Sequence, residues 1–165
     1  MNTEKAKRVL RSIRKIPHKH FVLHGSLTRS NTVLLRRPNV RFKKRKELHQ
    51  KGIYATSLTE IAIMYATLEN SIVWKYMLKK KEICILHKIT NDTEKSTLNV
   101  YNGYIHVCRR HTFNQGGPLI SFSKRPARVV RTFKISHEVL LYLWDKKDIK
   151  FVPEFGKTRD KPTAT

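Results

Sequence analysis

Residues 51–66 have the sequence KGIYATSLTEIAIMYA, and we expect the fold to be arranged around this stretch. The Ile-Tyr pair that ends at Tyr54 favours a strand, and apolar residues then recur with helical period at positions 58, 61, 62 and 65. Thr56 or Ser57 is placed to cap that helix, with a glutamate three residues after Ser57 as in a capping box. The stretch therefore predicts a short strand that leads directly into a helix.

A second motif lies upstream, where the apolar run FVLHGS ends in His24, Gly25 and Ser26. This run predicts another strand, and the glycine lets a planar group approach the backbone without a Cβ in the way. Tyr54 and Tyr65 are eleven residues apart. Two phenol rings are suited to hold a cationic ring between them. Each tyrosine taken alone is better explained as an ordinary strand or core aromatic, and it is their combination with the His-Gly-Ser motif that favours a binding role.

The order and spacing of these motifs resemble the NAD-binding signature of ADP-ribosyltransferases of the diphtheria-toxin and poly(ADP-ribose) polymerase type. The resemblance covers residues 21–66 and implies NAD as cosubstrate. It implies that His24 donates a hydrogen bond to the adenosine ribose and that Gly25, with Ser26 beside it, holds the nicotinamide amide. It further implies that Tyr54 and Tyr65 enclose the nicotinamide ring, and that His24 and Tyr54 are the catalytic residues.

The third motif of that family is a glutamate at the start of a late strand, and it has no counterpart here. The expected strand, residues 119–124, contains no acidic residue. A carboxylate matters at this point because positive charge develops on the ribose as the nicotinamide bond breaks. Ala62 also stands where the polymerases have a serine. These departures make catalysis less certain than NAD binding.

Three functions therefore stay open on this fold. The first is transfer of ADP-ribose to a macromolecular target without the glutamate. The second is a reaction similar to that of the RNA 2′-phosphotransferases, with Arg125, Arg128 and Arg131 as candidate residues. The third is a binding module that keeps the pocket and has lost the reaction.

The charge of the chain points to nucleic acid as a partner. The 165 residues include 35 Lys and Arg against 12 Asp and Glu, which gives a formal net charge of +23 and attracts polyanions. Apart from the N-terminus, the densest basic stretch is the one that follows the His-Gly-Ser motif. Its candidate nucleic-acid contacts are Arg36, Arg37, Arg41, Lys43, Lys44 and Arg45. The alternatives are a solvated charged loop and, for the whole chain, a basic nucleic-acid-binding protein without an NAD site.

Cysteine use and hydrophobicity predict the compartment. Cys84 and Cys108 each lie in an apolar, strand-like segment, which is typical of buried thiols in a reducing compartment. Neither has the spacing of a zinc site, so we expect no metal. No apolar run is long enough to cross a bilayer, and no signal peptide is evident. We therefore expect a cytoplasmic protein without membrane contact.

The pattern of elements predicts an α+β domain over residues 1–155 and a disordered tail over 156–165. The first element is a basic amphipathic helix, residues 3–16, which Pro17 ends. It either docks on the sheet of the domain or lies on an anionic surface, which is a phosphate backbone or a membrane. Later strands are expected at 82–89, 103–108, 119–124 and 127–135, followed by a helix at 137–144 that Ser136 caps.

The resemblance implies that these strands form a split, mostly antiparallel sheet with flanking helices, as in ADP-ribosyltransferases. Alternation along the strand at 103–108 puts Tyr104 and His106 on one face and Ile105 and Val107 on the other. His106 is then predicted to lie on the polar, solvated side of its strand.

Overall fold

A computed structural model describes residues 3–34, 52–68, 73–77, 82–87, 100–115, 120–146 and 148–153. These residues form an α+β fold with a curled antiparallel sheet and three helices. The helices are α1 (Thr3–Arg14), α2 (Thr59–Thr67) and α3 (His137–Asp145). The strands are β1 (Phe21–Ser26), β2 (Thr32–Val33), β3 (Ile53–Ala55), β4 (Val73–Met77), β5 (Glu82–His87), β6 (Gly103–Arg109), β7 (Asn114–Gln115), β8 (Ser121–Ser123), β9 (Ala127–Ile135) and β10 (Ile149–Pro153).

The main sheet has four strands in the order β1-β6-β9-β2, all antiparallel to their neighbours. Strand β6 lies between β1 and β9. Its pairing with β1 sets His24 directly opposite His106, and its pairing with β9 sets His106 opposite Thr132. Both histidines therefore lie on the same face of the sheet, because residues paired across a ladder share a face.

A second antiparallel sheet has the order β3-β8-β7, with Tyr54 opposite Phe122. It continues the main sheet through one pairing beside β1. Leu23 donates its N–H to the Thr56 carbonyl at 2.8 Å, and Thr56 donates back to the Leu23 carbonyl at 2.9 Å. This reciprocal pair brings the end of β3 alongside β1 and produces the curl. Strands β10, β5 and β4 form a third sheet, in which β10 runs parallel to β5.

The three helices cover one face of the main sheet and form the larger core with it. Helix α2 is buried on almost every side, whereas α1 and α3 each bury one stripe. The stripe of α1 consists of Ala6, Leu10 and Ile13, so the apolar face of this basic helix docks on the domain, as one of the two predictions had it. Burial of a large side chain such as Leu10 or Ile13 contributes about 1.5–3 kcal/mol to stability.

The opposite face of the main sheet is apolar only at one end. There Val22 and Cys108 pack with residues of β2, β3 and β9 in a smaller core. Cys108 is fully buried, as the sequence predicts, and burial raises the pKa of its thiol to about 12. The other end of this face carries the polar residues described below.

Two capping predictions are wrong. Helix α2 begins at Thr59, and its N-cap, Leu58, has no side-chain cap; the Thr56 hydroxyl instead accepts a hydrogen bond from the Leu58 N–H. Ser136 likewise makes no side-chain cap for α3, where the Asn102 side-chain carbonyl accepts a hydrogen bond from the N–H of His137 at 3.0 Å. At α3 an acceptor supplied by tertiary structure replaces the local one, whereas at α2 the Thr56 contact is local and lies before the helix.

Most other elements lie where the sequence predicts them, and β9 coincides with its predicted bounds. The sequence of residues 71–78 does not distinguish a helix from a strand, and the structure places β4 there; β10 was not predicted. The predicted tail lies outside the described residues. None of the helices in the described ranges combines the length and apolar character that a membrane span requires.

Candidate functional site

The site is built on β1, whose alternation gives its two faces different neighbours. Leu23 and Gly25 point to the helices, and Leu23 belongs to the larger core. His24 and Ser26 point to the other face, where both line a cleft. The His-Gly-Ser motif thus divides its three residues between the interior and the cleft.

His24 and Tyr54 are brought together by a direct hydrogen bond. The Nδ1 atom of His24 lies 2.8 Å from the Tyr54 carbonyl oxygen. Because a carbonyl only accepts, Nδ1 must carry the proton, and Nε2 is then the acceptor nitrogen of the neutral ring. The Tyr54 ring packs against Phe122 with centroids 5.2 Å apart, and burial raises the pKa of the phenol. The two motifs therefore meet, although 30 residues separate these partners in the chain.

Gly25 and Tyr65 meet on the helical side of β1. A Cβ added at Gly25 would lie 2.2 Å from the Ala62 carbonyl oxygen and 2.8 Å from the Tyr65 Cβ. Helix α2 therefore sits directly on the glycine, and Tyr65 packs against the larger core beside it. This packing is a sufficient physical reason for glycine at position 25. The nicotinamide contacts of both residues stay predictions.

His106 is the site residue that the sequence analysis placed wrongly. It is only 1% exposed, whereas its polar strand face predicted a solvated side chain. Its Nε2 lies 3.0 Å from the Thr28 carbonyl oxygen and its Nδ1 lies 3.2 Å from the Thr132 hydroxyl oxygen. Nε2 must donate to the carbonyl, so in the neutral ring Nδ1 accepts from Thr132. Burial, followed by the charge of Arg29, lowers the pKa of His106.

The rings of the site form a row across the two strands. His106 lies between His24 and Tyr104, with centroid distances of 6.2 and 6.3 Å and interplanar angles of 18° and 9°. His106 thus supports the His24 ring on one side and ties the segment after β1 to the sheet. Sequence alternation indicated the shared face of Tyr104 and His106, but burial depends on Thr28, 78 residues away.

A cleft of about 170 Å³ opens beside this row. It is lined by His24, Ser26, Thr28, Arg29, Ser30, Thr32, Val33, Leu34 and His106. Of the described residues that line it, none is acidic, and four carry hydroxyl groups. Ligand pockets for drug-sized molecules enclose about 300–1,000 Å³. The described part of the cleft therefore suits a polar or anionic group the size of a ribose or a phosphate.

The three arginines suggested for phosphotransfer are not brought together. Arg128 pairs with Thr32 of the edge strand β2, but it is not among the residues that line the cleft. Arg131 pairs with Val107, on the helical face of the sheet, and its guanidinium lies 4.5 Å from the centroid of the Phe133 ring. Arg125 is exposed beyond the end of β8. Arg29, at the cleft, was missed because it lies in a short polar turn without a motif.

Two further predictions concern the missing carboxylate and the basic loop. Strand β8, which contains Ser121, Phe122 and Ser123, pairs with β3 at Tyr54 and brings no acid to the site. The predicted nucleic-acid contacts lie outside the described residues; they are Arg36, Arg37, Arg41, Lys43, Lys44 and Arg45. Within the described ranges, no group of three potential metal ligands is found.

No protein-family model, curated protein or solved structure matches this chain.

Proposed function

We propose that this protein binds NAD in the manner of the ADP-ribosyltransferases and transfers ADP-ribose to a macromolecular target, with nucleic acid as the preferred class. One observation supports this proposal above the others. The hydrogen bond between His24 Nδ1 and the Tyr54 carbonyl joins the two motifs on which the resemblance rests, at 2.8 Å. A chance similarity of two short motifs gives no reason for them to meet in space.

The residues around the cleft fit parts of an NAD molecule. In the neutral His24 ring Nε2 accepts a hydrogen bond from a ribose hydroxyl. The resemblance implies the opposite direction, with His24 as the donor. Arg29 supplies positive charge for the diphosphate, and Ser26 and Ser30 supply hydroxyls. Tyr54 and Tyr65 do not line the cleft, and they are the residues proposed to hold the nicotinamide ring beyond it. NAD itself supplies the ADP-ribosyl group for transfer.

The protein's own part in the reaction is to orient NAD. His106 holds the segment containing Thr28 against the sheet and supports the His24 ring. Of the described residues lining the cleft, none offers a carboxylate to the developing positive charge. We therefore treat binding and transfer as separate questions, and binding is tested first.

Calorimetric titration with NAD tests the binding step. His24→Ala removes the hydrogen bond to the ribose, and we expect about 1–2 kcal/mol weaker binding, or about 5- to 30-fold in Kd. His111→Ala changes an exposed histidine of the turn after β6 and serves as the matched control. Equal Kd values for wild type and His24→Ala would contradict the proposal, provided that circular dichroism gives both the same fold.

Tyr54 allows a sharper version of the same test. Stacking needs the ring and not the hydroxyl, so Tyr54→Phe should keep the affinity for NAD and Tyr54→Ala should lose it. If both variants lose affinity equally, the ring is not the contact. Transfer is then measured by incubating the protein with labelled NAD and RNA, DNA or protein acceptors.

A second candidate function is supported by the arginine at the cleft. Arg29 lines it, which suits an enzyme similar to the RNA 2′-phosphotransferases, where arginines hold a phosphate. The test is release of the 2′-phosphate from a 2′-phosphorylated RNA oligonucleotide in the presence of NAD. Binding of the oligonucleotide without turnover of either substrate would favour a non-catalytic nucleic-acid-binding module instead.

A further inference from the structure

Helix α1 presents two chemically opposite faces. Its apolar stripe, Ala6, Leu10 and Ile13, is buried against the domain. Lys15 directly follows α1, and its N–H still donates to the Arg11 carbonyl at 3.2 Å. At 100° per residue, Arg8 and Lys15 therefore lie almost directly opposite this stripe, and Arg11 lies beside them. All three side chains are exposed. We call these three residues the basic face of α1.

The other cations of α1 have partners that explain their presence. Lys7 binds Glu4 at 2.7 Å, and Arg14 binds Glu60 at 2.6 Å and Asp148 at 3.2 Å. The three residues of the basic face differ from them. Among the described residues, no carboxylate lies within ion-pair distance of Arg8, Arg11 or Lys15.

Repulsion within the basic face lowers the stability of the isolated protein, and the Glu4 carboxylate, which attracts Arg8 and Arg11, offsets part of it. Arg8 and Arg11 are three residues apart and Arg11 and Lys15 four apart, spacings at which like charges repel across a helix surface. The helix dipole favours cations in the last turn and so accounts for Arg11 and Arg14, but not for Arg8 in the middle of the helix. A polyanion bound along this face would remove the repulsion.

We propose that the basic face of α1 binds the phosphate backbone of nucleic acid, separately from the cleft. From Arg8 to Lys15 the helix rises about 10 Å. One strand of a duplex presents about three phosphates over that axial length. The net charge of +23 adds long-range attraction for the same partner. This surface is not the loop on which the sequence analysis located the contacts.

A membrane surface is a poorer match for α1. Amphipathic helices that bind membranes insert an apolar face into the lipid and keep a basic face toward the headgroups. Here the apolar stripe is occupied by α2, α3 and the sheet, with Leu10 only 2% exposed. The basic face is therefore left without the apolar contact that such binding needs.

The test compares two variants with the same change of charge. Arg8→Gln/Lys15→Gln removes two cations from the basic face, and Lys124→Gln/Lys134→Gln removes two exposed cations from the β8–β9 side. The probe is a fluorescein-labelled 20-base-pair DNA duplex, with a labelled RNA of the same length alongside. Binding is followed by anisotropy over a series of KCl concentrations, after circular dichroism has verified the fold of each variant.

Each phosphate contact contributes about 0.9 to the slope of log Kd against log salt for a duplex. We expect Arg8→Gln/Lys15→Gln to reduce that slope by about 1.8, the value for two contacts. The control variant should reduce it by less than half as much. Equal reductions in both variants, or none in the first, would overturn the proposal. Binding to phosphatidylserine vesicles is measured alongside. The proposal would also be overturned if Arg8→Gln/Lys15→Gln lost its binding to the vesicles and kept its binding to nucleic acid.

Discussion

Gly25→Ala perturbs the contact on which the arrangement of β1 and α2 depends. The added Cβ would lie 2.2 Å from the Ala62 carbonyl oxygen, 2.7 Å from the Ala66 nitrogen and 2.8 Å from the Tyr65 Cβ. Ordinary contact begins at 3.4 Å, so the helix must withdraw by about 1.2 Å at the closest point. Two of the three obstructing atoms belong to the helix backbone, and no rotation of a side chain relieves them.

The magnitude follows from two opposed effects. Overpacking of a close-packed core costs about 1–3 kcal/mol, and the rigid helix backbone puts this site at the upper end. Alanine also reduces the entropy of the unfolded chain, which offsets about 0.4–1 kcal/mol. We therefore expect Gly25→Ala to lower the free energy of unfolding by about 2 kcal/mol, measured by urea denaturation followed by far-UV circular dichroism.

Gly52→Ala is the matched control, because its Cβ meets a side chain. The obstructing atoms there belong to the Phe122 ring, at 2.0 Å and beyond. Phe122→Leu should relieve part of the cost of Gly52→Ala, whereas no such partner exists for Gly25→Ala. A Gly25→Ala variant within about 0.5 kcal/mol of wild type would refute the packing argument. Loss of NAD binding in that stable variant would instead favour the nicotinamide role.

Three further predictions follow. Burial lowers the pKa of His106 from 6.5, so the free energy of unfolding should fall as the pH drops below 6.5. His106→Gln should flatten this part of the stability-against-pH profile. Urea denaturation curves of the wild type that do not change over this pH range would contradict the prediction. Arg14→Ala removes half-exposed ion pairs to Glu60 and Asp148 and should cost about 0.5–1 kcal/mol in urea denaturation, a null effect being the contrary result. At pH 8, iodoacetamide should modify Cys108 only after denaturation; rapid modification of the native thiol would disprove its burial.

The secondary structure that could be predicted from the sequence is the part set by local periodicity. Strand β9 and the apolar stripe of α1 are examples, since each reflects the spacing of its own residues. The cap of α2 is the opposite case. The Ser57 hydroxyl accepts a hydrogen bond from the guanidinium of Arg110, 53 residues away, and Glu60 binds Arg14. Both predicted capping partners are thus taken by residues distant in sequence, which local patterns do not reveal.

The candidate site likewise contains residues that local motifs predict and residues that they do not. His24 and Tyr54 could be chosen from motifs, because a strand end with His-Gly-Ser and a strand that enters a helix are local features. His106 could not, since its burial requires the segment after β1 to cross its strand and place the Thr28 carbonyl on its ring. Whether a polar residue on an alternating strand is buried depends on which segment packs over its face of the sheet. That packing is part of the tertiary structure, which strand alternation does not predict.

The alternation of β1 explains why its three motif residues should respond differently to mutation. Gly25 faces α2, so its substitution acts through the separation of helix and sheet. His24 and Ser26 face the cleft, where truncation leaves that packing in place and changes only polar contacts. A change that weakens ligand binding without loss of stability should therefore come from the two cleft residues, and a change that lowers both should come from the glycine. That separation is what a strand with a core on one face and a polar cleft on the other requires.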